Sequence, residues 1–298
     1  MRFDEYITVD WSAASSPQIG PNSIWICTFK CRSKEPQKSK IHNISTRSAA
    51  TEWLRSHLYT SLHAGNRILL GFDFPFGYPA GTASALGMQG SQWRNIWQLL
   101  FDGLSDNQTN ENNRFDLAEK LNQQLTGEAF PFWGNVRDEN RKYLVRRGRR
   151  PHGQNDVAER RLVEQFVPSA QPVWKLAGVG SAGSQALTGI PAVWSLRFDP
   201  RLAGKTRIWP FETGLRIEPS AQIIMAEIYP SIFPLRPIKG KPKDAAQVTA
   251  AARALAIADS NNQIDSLFAG RSDLKKGDKK IIENEEAWIL GVSDHFKK

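Results

Sequence analysis

The chain has 298 residues, 40% hydrophobic and 23% charged, enough apolar surface for a substantial core and a composition that excludes a disordered polymer. No apolar run approaches the roughly 18 residues that span a bilayer, and the start "MRFDEYITVDW" lacks a signal peptide's apolar stretch, so a cytoplasmic protein with no membrane partner is expected. A formal charge of +9 points to polyanionic partners, either nucleic acid or a phosphorylated small molecule.

Tyr6, Ile7, Thr8 and Val9 are strand formers, and the pattern breaks at Asp10, with Ser12 and Ser15 close behind. A carboxylate there is either a turn cap or a ligand. Turn chemistry in "SAASSPQIGPNS" leads to "SIWICTFK", a second strand hairpinned to the first. "RSKEPQKSK" reads as a charged turn and "IHNIST" as a third strand. The period then changes: Ala50, Trp53, Leu54, His57, Leu58 and Leu62 recur at helical spacing until Gly65 ends the run. "NRILLGFDFPFG" follows as an apolar strand ending at Asp73. Three meandering strands, a helix and a fourth strand beside the first make an informative order.

Residues 80–215 hold most of the tryptophans, amphipathic pieces such as "SQWRNIWQLLFDGL" and "RFDLAEKLNQQL", and long stretches rich in Gly, Pro and Arg. They read as a basic insertion of helices and loops. Regularity returns with a buried strand over Ile223 to Ile228, reaching Glu227, and with the alanine-rich helix of "KPKDAAQVTAAARALAIADS", whose Pro242 precedes its first turn. Cys27 and Cys31 lie about 13 Å apart if extended, too far for a disulfide, and read as two reduced thiols.

The recurring feature is where the acids fall. Asp10 ends the first strand, Asp73 the fourth, Glu227 nears the end of the last, and Asp244 opens the late helix. If the first and fourth strands are parallel neighbours, their ends share one edge of the sheet, where sites commonly form. Carboxylates gathered there repel one another and need protons or a cation, and all-oxygen ligands favour Mg²⁺ or Mn²⁺. The bland readings are an Asx turn at Asp10, a strand stop at Asp73, an arginine partner for Glu227 and a helix-dipole acid at Asp244. Glu52, in the first helix, reads as part of a solvated face.

"YITVDWSAAS", "GFDFPFG", "AEIYPS", the "KDAA" helix and "EEAWILG" together resemble the motifs of the family catalogued as domain of unknown function 429, expected members of the RNase H-like superfamily. The resemblance covers the two ends of the chain. It implies an α/β fold, an RNase H-like mixed five-stranded sheet flanked by helices, with a discontinuous core of residues 1–79 and 216–298 around the insertion 80–215. It also implies that Asp10, Asp73 and the late-helix carboxylate Asp244 are metal ligands, and that Glu227 is added by the family's strand motif. The chemistry implied is divalent-metal-dependent phosphodiester hydrolysis, nuclease-like, with Asp10, Asp73, Glu227 and Asp244 in the catalytic set. One departure stands out: Gln247 occupies the place where related helices often carry a second acid. That departure keeps open a non-catalytic nucleic-acid or nucleotide-binding module with a decayed metal centre. An actin-like phosphotransferase ranks last, because the chain shows one strand-helix set where two are needed.

"RKYLVRRGRRPHG" concentrates Arg141, Lys142, Arg146, Arg147, Arg149 and Arg150, a density suited to phosphate contact, with Ser12 and Ser15 fitting a turn beside a phosphate. The alternative is a solvated loop, or arginines paired with the protein's own acids. In "AGVGSAGSQALTG", Gly178, Gly180 and Gly183 match dinucleotide-binding spacing, but no good strand precedes them and Gly189 and Pro191 are expected to truncate any following helix. A loop near the ligand, with backbone amides able to cradle a phosphate, fits better.

Overall fold

The computed structural model describes residues 1–31, 39–136 and 140–294. The chain opens with strands β1 (Glu5–Asp10), β2 (Ile24–Lys30) and β3 (Ser39–Ile44), then helix α1 (Arg47–His63) and strand β4 (Ile68–Phe72). Thr46 caps α1 by accepting from Ala49 N, and Gly65, at φ +75°, turns the chain into β4. The charged turn expected between β2 and β3 falls mainly on residues 32–38, outside the described residues.

Helices α2 (Thr82–Ala85), α3 (Gln92–Gly103), α4 (Arg114–Thr126), α5 (Leu162–Phe166) and α6 (Ala182–Arg197) follow, then strands β5 (Thr206–Ile208) and β6 (Ile223–Glu227). Helices α7 (Lys243–Ser260), α8 (Ile264–Phe268) and α9 (Lys276–Ile281) close the described chain, α9 running into a π-helical turn at Ile282–Glu286.

The sheet is mixed, in the order β3-β2-β1-β4-β6-β5. Strands β1, β2 and β3 form the antiparallel meander, while β4, β6 and β5 run parallel to β1. This is an α/β fold consistent with an RNase H-like topology. The sheet has six strands where five were expected. The sixth, β5, comes from residues 80–215 and pairs with β6 through Thr206–Ile208, too short a run to announce itself by alternation.

Alternation along the strands sends side chains to two cores. Ile7 and Val9 of β1, Leu70 and Phe72 of β4 and Met225 of β6 join α1, α3, α4 and α6 on one face. Tyr6, Cys27, Leu69, Ile224 and Ala226 join α7 on the other. Residues 80–215 therefore contribute to both cores: α3, α4 and α6 pack on the first face, while Val163, Val167, Ala170 and Trp209 join α7 on the second. Asp259, buried near the end of α7, anchors the first strand by accepting from Arg2 N, Phe3 N and the Tyr6 hydroxyl.

The expectation that Gly189 and Pro191 stop a helix is corrected: both lie inside α6. Burial explains it. Most of α6 is enclosed, so tertiary packing outweighs local propensity. A Cβ at Gly189 would sit 2.4 Å from the Phe74 ring, so the glycine lets α6 press against the residue that follows Asp73. Gly189→Ala adds about 1 kcal/mol of helix propensity but overpacks this contact by about 1–3 kcal/mol. The variant is expected to be less stable than the parent in urea unfolding, and a stability gain would refute the contact.

Candidate active site

Register assembles the site. Val9 pairs with Phe72 in the parallel ladder and Asp73 N donates to Val9 O at 2.9 Å, so Asp10 and Asp73 leave neighbouring strands side by side. Thr8 hydrogen-bonds Val248 O of α7 at 2.7 Å, and two residues on, Asp10 continues along that face toward the first turn of α7, where Asp244 sits. Asp244 accepts from Asn22 N at 2.7 Å, tying α7 to the loop between β1 and β2.

The electrostatics are unfavourable by design of the register. Burial, then Asp73 and Asp244, push the Asp10 carboxyl well above the usual carboxylate range. Burial, then Glu227 and Asp244, raise Asp73 to about 8. Among the described residues neither carboxyl takes a hydrogen bond or an ion pair. Two unpartnered acids facing one cavity call for a shared proton or a cation.

The donor chemistry fits a hard cation. Magnesium binds through one or two carboxylates and keeps its remaining positions for water and phosphate, which the Asp10 and Asp73 pair satisfies. Among the described residues no set of three or more histidine, cysteine, aspartate or glutamate side chains is drawn together as a metal site. Gln247, one turn beyond Asp244, lines the same cavity and reaches Ser231 Oγ at 3.4 Å.

Glu227 has a different employment. Arg161, 1% exposed, donates to both of its oxygens at 2.7 and 2.8 Å, and Phe76 N donates to Oε2 at 2.8 Å. Arg161 also binds Glu164 at 3.0 Å and Glu286 O at 2.9 Å. Glu227 lies at the cavity wall, but its oxygens tie β6 to Arg161 at the start of α5 and to the segment after β4. The acids of "EEAWILG" are similarly spent: Glu285 accepts from Gly81 N and Ala83 N, and Glu286 from Ala80 N and Leu162 N. Sequence reading missed Arg161 as a central residue. Its one local signal is Glu164 three positions on, which returns a bond to Arg161 N.

The cavity has a volume of about 710 Å³. Its walls are the turn after β1, the segment after β4, residues 176–182, the segment after β6 and the start of α7. Ser12 lines it, its hydroxyl donating to Asn22 O at 2.8 Å. Ser15 does not, and accepts from Arg114 at 2.9 Å. The glycine-rich loop does line it, ahead of α6, with Gly178 and Gly180 at positive φ. Gly183 serves packing: a Cβ there would lie 2.4 Å from Val173 O.

The arginine tract lies away from this cavity: none of Arg141, Lys142, Arg146, Arg147, Arg149 and Arg150 lines it. Arg141 pairs with Asp116 at 2.7 Å and Glu119 at 2.9 Å, Arg149 with Glu159, and Arg150 with Glu128 at 2.7 Å and Asp156 at 2.6 Å. Glu52 is exposed beside Arg55, the solvated helix face expected for it.

The fold and site define an α/β protein with a six-stranded mixed sheet, in an order consistent with an RNase H-like topology, and paired strand-end carboxylates. Comparison with protein-family models, curated proteins and solved structures finds no match for the chain. Among the described residues no helix is long and apolar enough to cross a membrane.

Two predictions follow from these contacts. Arg161→Met leaves Glu164 and Glu227 buried without their cation and is expected to cost about 3–5 kcal/mol in urea unfolding, whereas replacing all three by apolar residues recovers most of the loss. The second concerns pH. Folding raises Asp73 from the usual value near 4 to about 8, so the folded state holds that proton more tightly. Its contribution is most favourable below pH ~4 and is lost as pH rises through about 8. Asp73→Asn, without added metal, is expected to flatten this decline in thermal scans between these pH values, and an unchanged profile would contradict the assignment.

Proposed function

We propose that this chain is a divalent-metal-dependent phosphodiester hydrolase, nuclease-like in chemistry, acting on nucleic acid or a phosphoester. The observation that carries the reading is the pair Asp10 and Asp73, side by side at the ends of parallel strands, facing a cavity with no hydrogen-bond or ion-pair partner among the described residues. Asp10 and Asp73 would hold Mg²⁺ or Mn²⁺, with Asp244 lining the same cavity. The ion, when bound, supplies neutralisation of the phosphoryl charge and an activated water.

The remaining chemistry belongs to the chain. Gln185 donates to Trp11 O at 2.7 Å and so fixes the turn that aims Asp10. Arg161 locks Glu227, keeping the β6 wall rigid while its negative charge adds to the field at Asp73. Asp244 secures the opposite wall through Asn22. Residues 177–181 flank the acids with backbone amides suited to phosphate oxygens.

Gln247 and the lack of a closed three-ligand set among the described residues favour a second reading, a binding module whose metal centre has decayed. Calorimetry with Mn²⁺ separates the two. Under the hydrolase reading the parent binds the ion, Asp10→Asn and Asp73→Asn lose it, and turnover of a small phosphodiester drops at least about 100-fold in both variants. No ion binding with or without phosphate, alongside retained nucleotide binding, would leave the binding module.

A further inference from the structure

We infer that the cavity takes a small phosphate ester bearing an apolar or planar group, of mononucleotide size, and not the interior of a nucleic-acid strand. The inference rests on the hydrolase reading for the chemistry of the ligand and on the cavity for its size. A volume of about 710 Å³ falls within the roughly 300–1,000 Å³ typical of pockets that enclose a small molecule. Residues 80–215 supply one wall, through the glycine-rich loop and Val136, so the carboxylate edge is walled on that side.

Charge points the same way. Five carboxylates line the cavity, those of Asp10, Asp73, Glu164, Glu227 and Asp244, against the guanidiniums of Arg114 and Arg161 among the described residues. Arg161 is already bound to Glu164 and Glu227. A polymer needs a cationic track along its backbone, and its binding then falls steeply with salt. Of the six basic residues that would make such a track, Arg141, Arg149 and Arg150 are paired with the protein's own acids, and none of the six lines the cavity. Among the described residues, the positive charge behind the net +9 is therefore not focused where the chemistry would occur. One phosphate, its charge met by a cation on the carboxylates, suits this pocket; a run of phosphates does not.

The lining also includes exposed apolar side chains, Val179 at 93% and Val136 at 58%, with Tyr229 also in the wall. Such groups offer contact to a base or aryl ring.

The test is equilibrium binding by calorimetry on the full chain in Mn²⁺, comparing thymidine 5′-(p-nitrophenyl phosphate) with a long single-stranded oligothymidylate. The small ester is expected to bind with little salt dependence, and the oligonucleotide no more than about tenfold tighter. Val179→Trp, at a side chain exposed enough to accept it, is expected to change the ester's affinity several-fold. An oligonucleotide at least about 100-fold tighter with a steep salt slope, or no binding of the ester, overturns the inference. Turnover measured in parallel keeps the two readings apart. Ester binding without hydrolysis removes the hydrolase while supporting the size assignment; efficient cutting of a closed circular single strand overturns the size assignment while supporting the hydrolase.

Discussion

The parallel pairing of β1 with β4 places two carboxylates at adjacent strand ends, and much of the molecule is arranged around that repulsion. Burial comes first in raising the proton affinity of both acids, followed by Asp73 and Asp244 at Asp10 and by Glu227 and Asp244 at Asp73, and neither has a basic partner among the described residues. A fold selected for stability alone would place a lysine or arginine within reach, as this chain does for Glu227 with Arg161. The contrast between these acids, one pair unpartnered and one residue fully bound, separates the strand-end pair from the frame that holds it.

That frame is rigid for identifiable reasons. Arg161 gathers Glu164, Glu227 and Glu286 O into one buried network, so α5, β6 and the chain's end move together. On the other side, the absence of a side chain at Gly189 lets α6 approach Phe74, directly after Asp73. Asp244 ties the start of α7 to the loop after β1. These contacts hold the acids from three directions, which is what keeps an electrostatically costly arrangement from relaxing.

Global and local charge diverge. A strongly basic chain encloses an acidic cavity, and in its densest basic run Arg141, Arg149 and Arg150 are taken up by the chain's own carboxylates. Composition describes the protein's average potential; the sign at the site depends on which side chains the fold turns inward.

Sequence alone determined the β1-to-β4 order, the long helices α1 and α7 and the strand-end positions of Asp10, Asp73 and Glu227, because period, turn chemistry and strand breaks are local properties. It also placed Asp244 at the start of its helix and read a loop at Gly178 and Gly180, which line the cavity. Local signals failed where packing decides. The strand β5 is three residues long, α6 runs through Gly189 and Pro191 because its surroundings are buried, and Arg161 gains its partners from positions as far off as Glu286. The fate of the arginine tract was equally hidden, since Asp116, Glu119 and Glu128 reach it from and just beyond a helix many residues away. Pairing of charges is a matter of distance in space, and only the tertiary structure sets it.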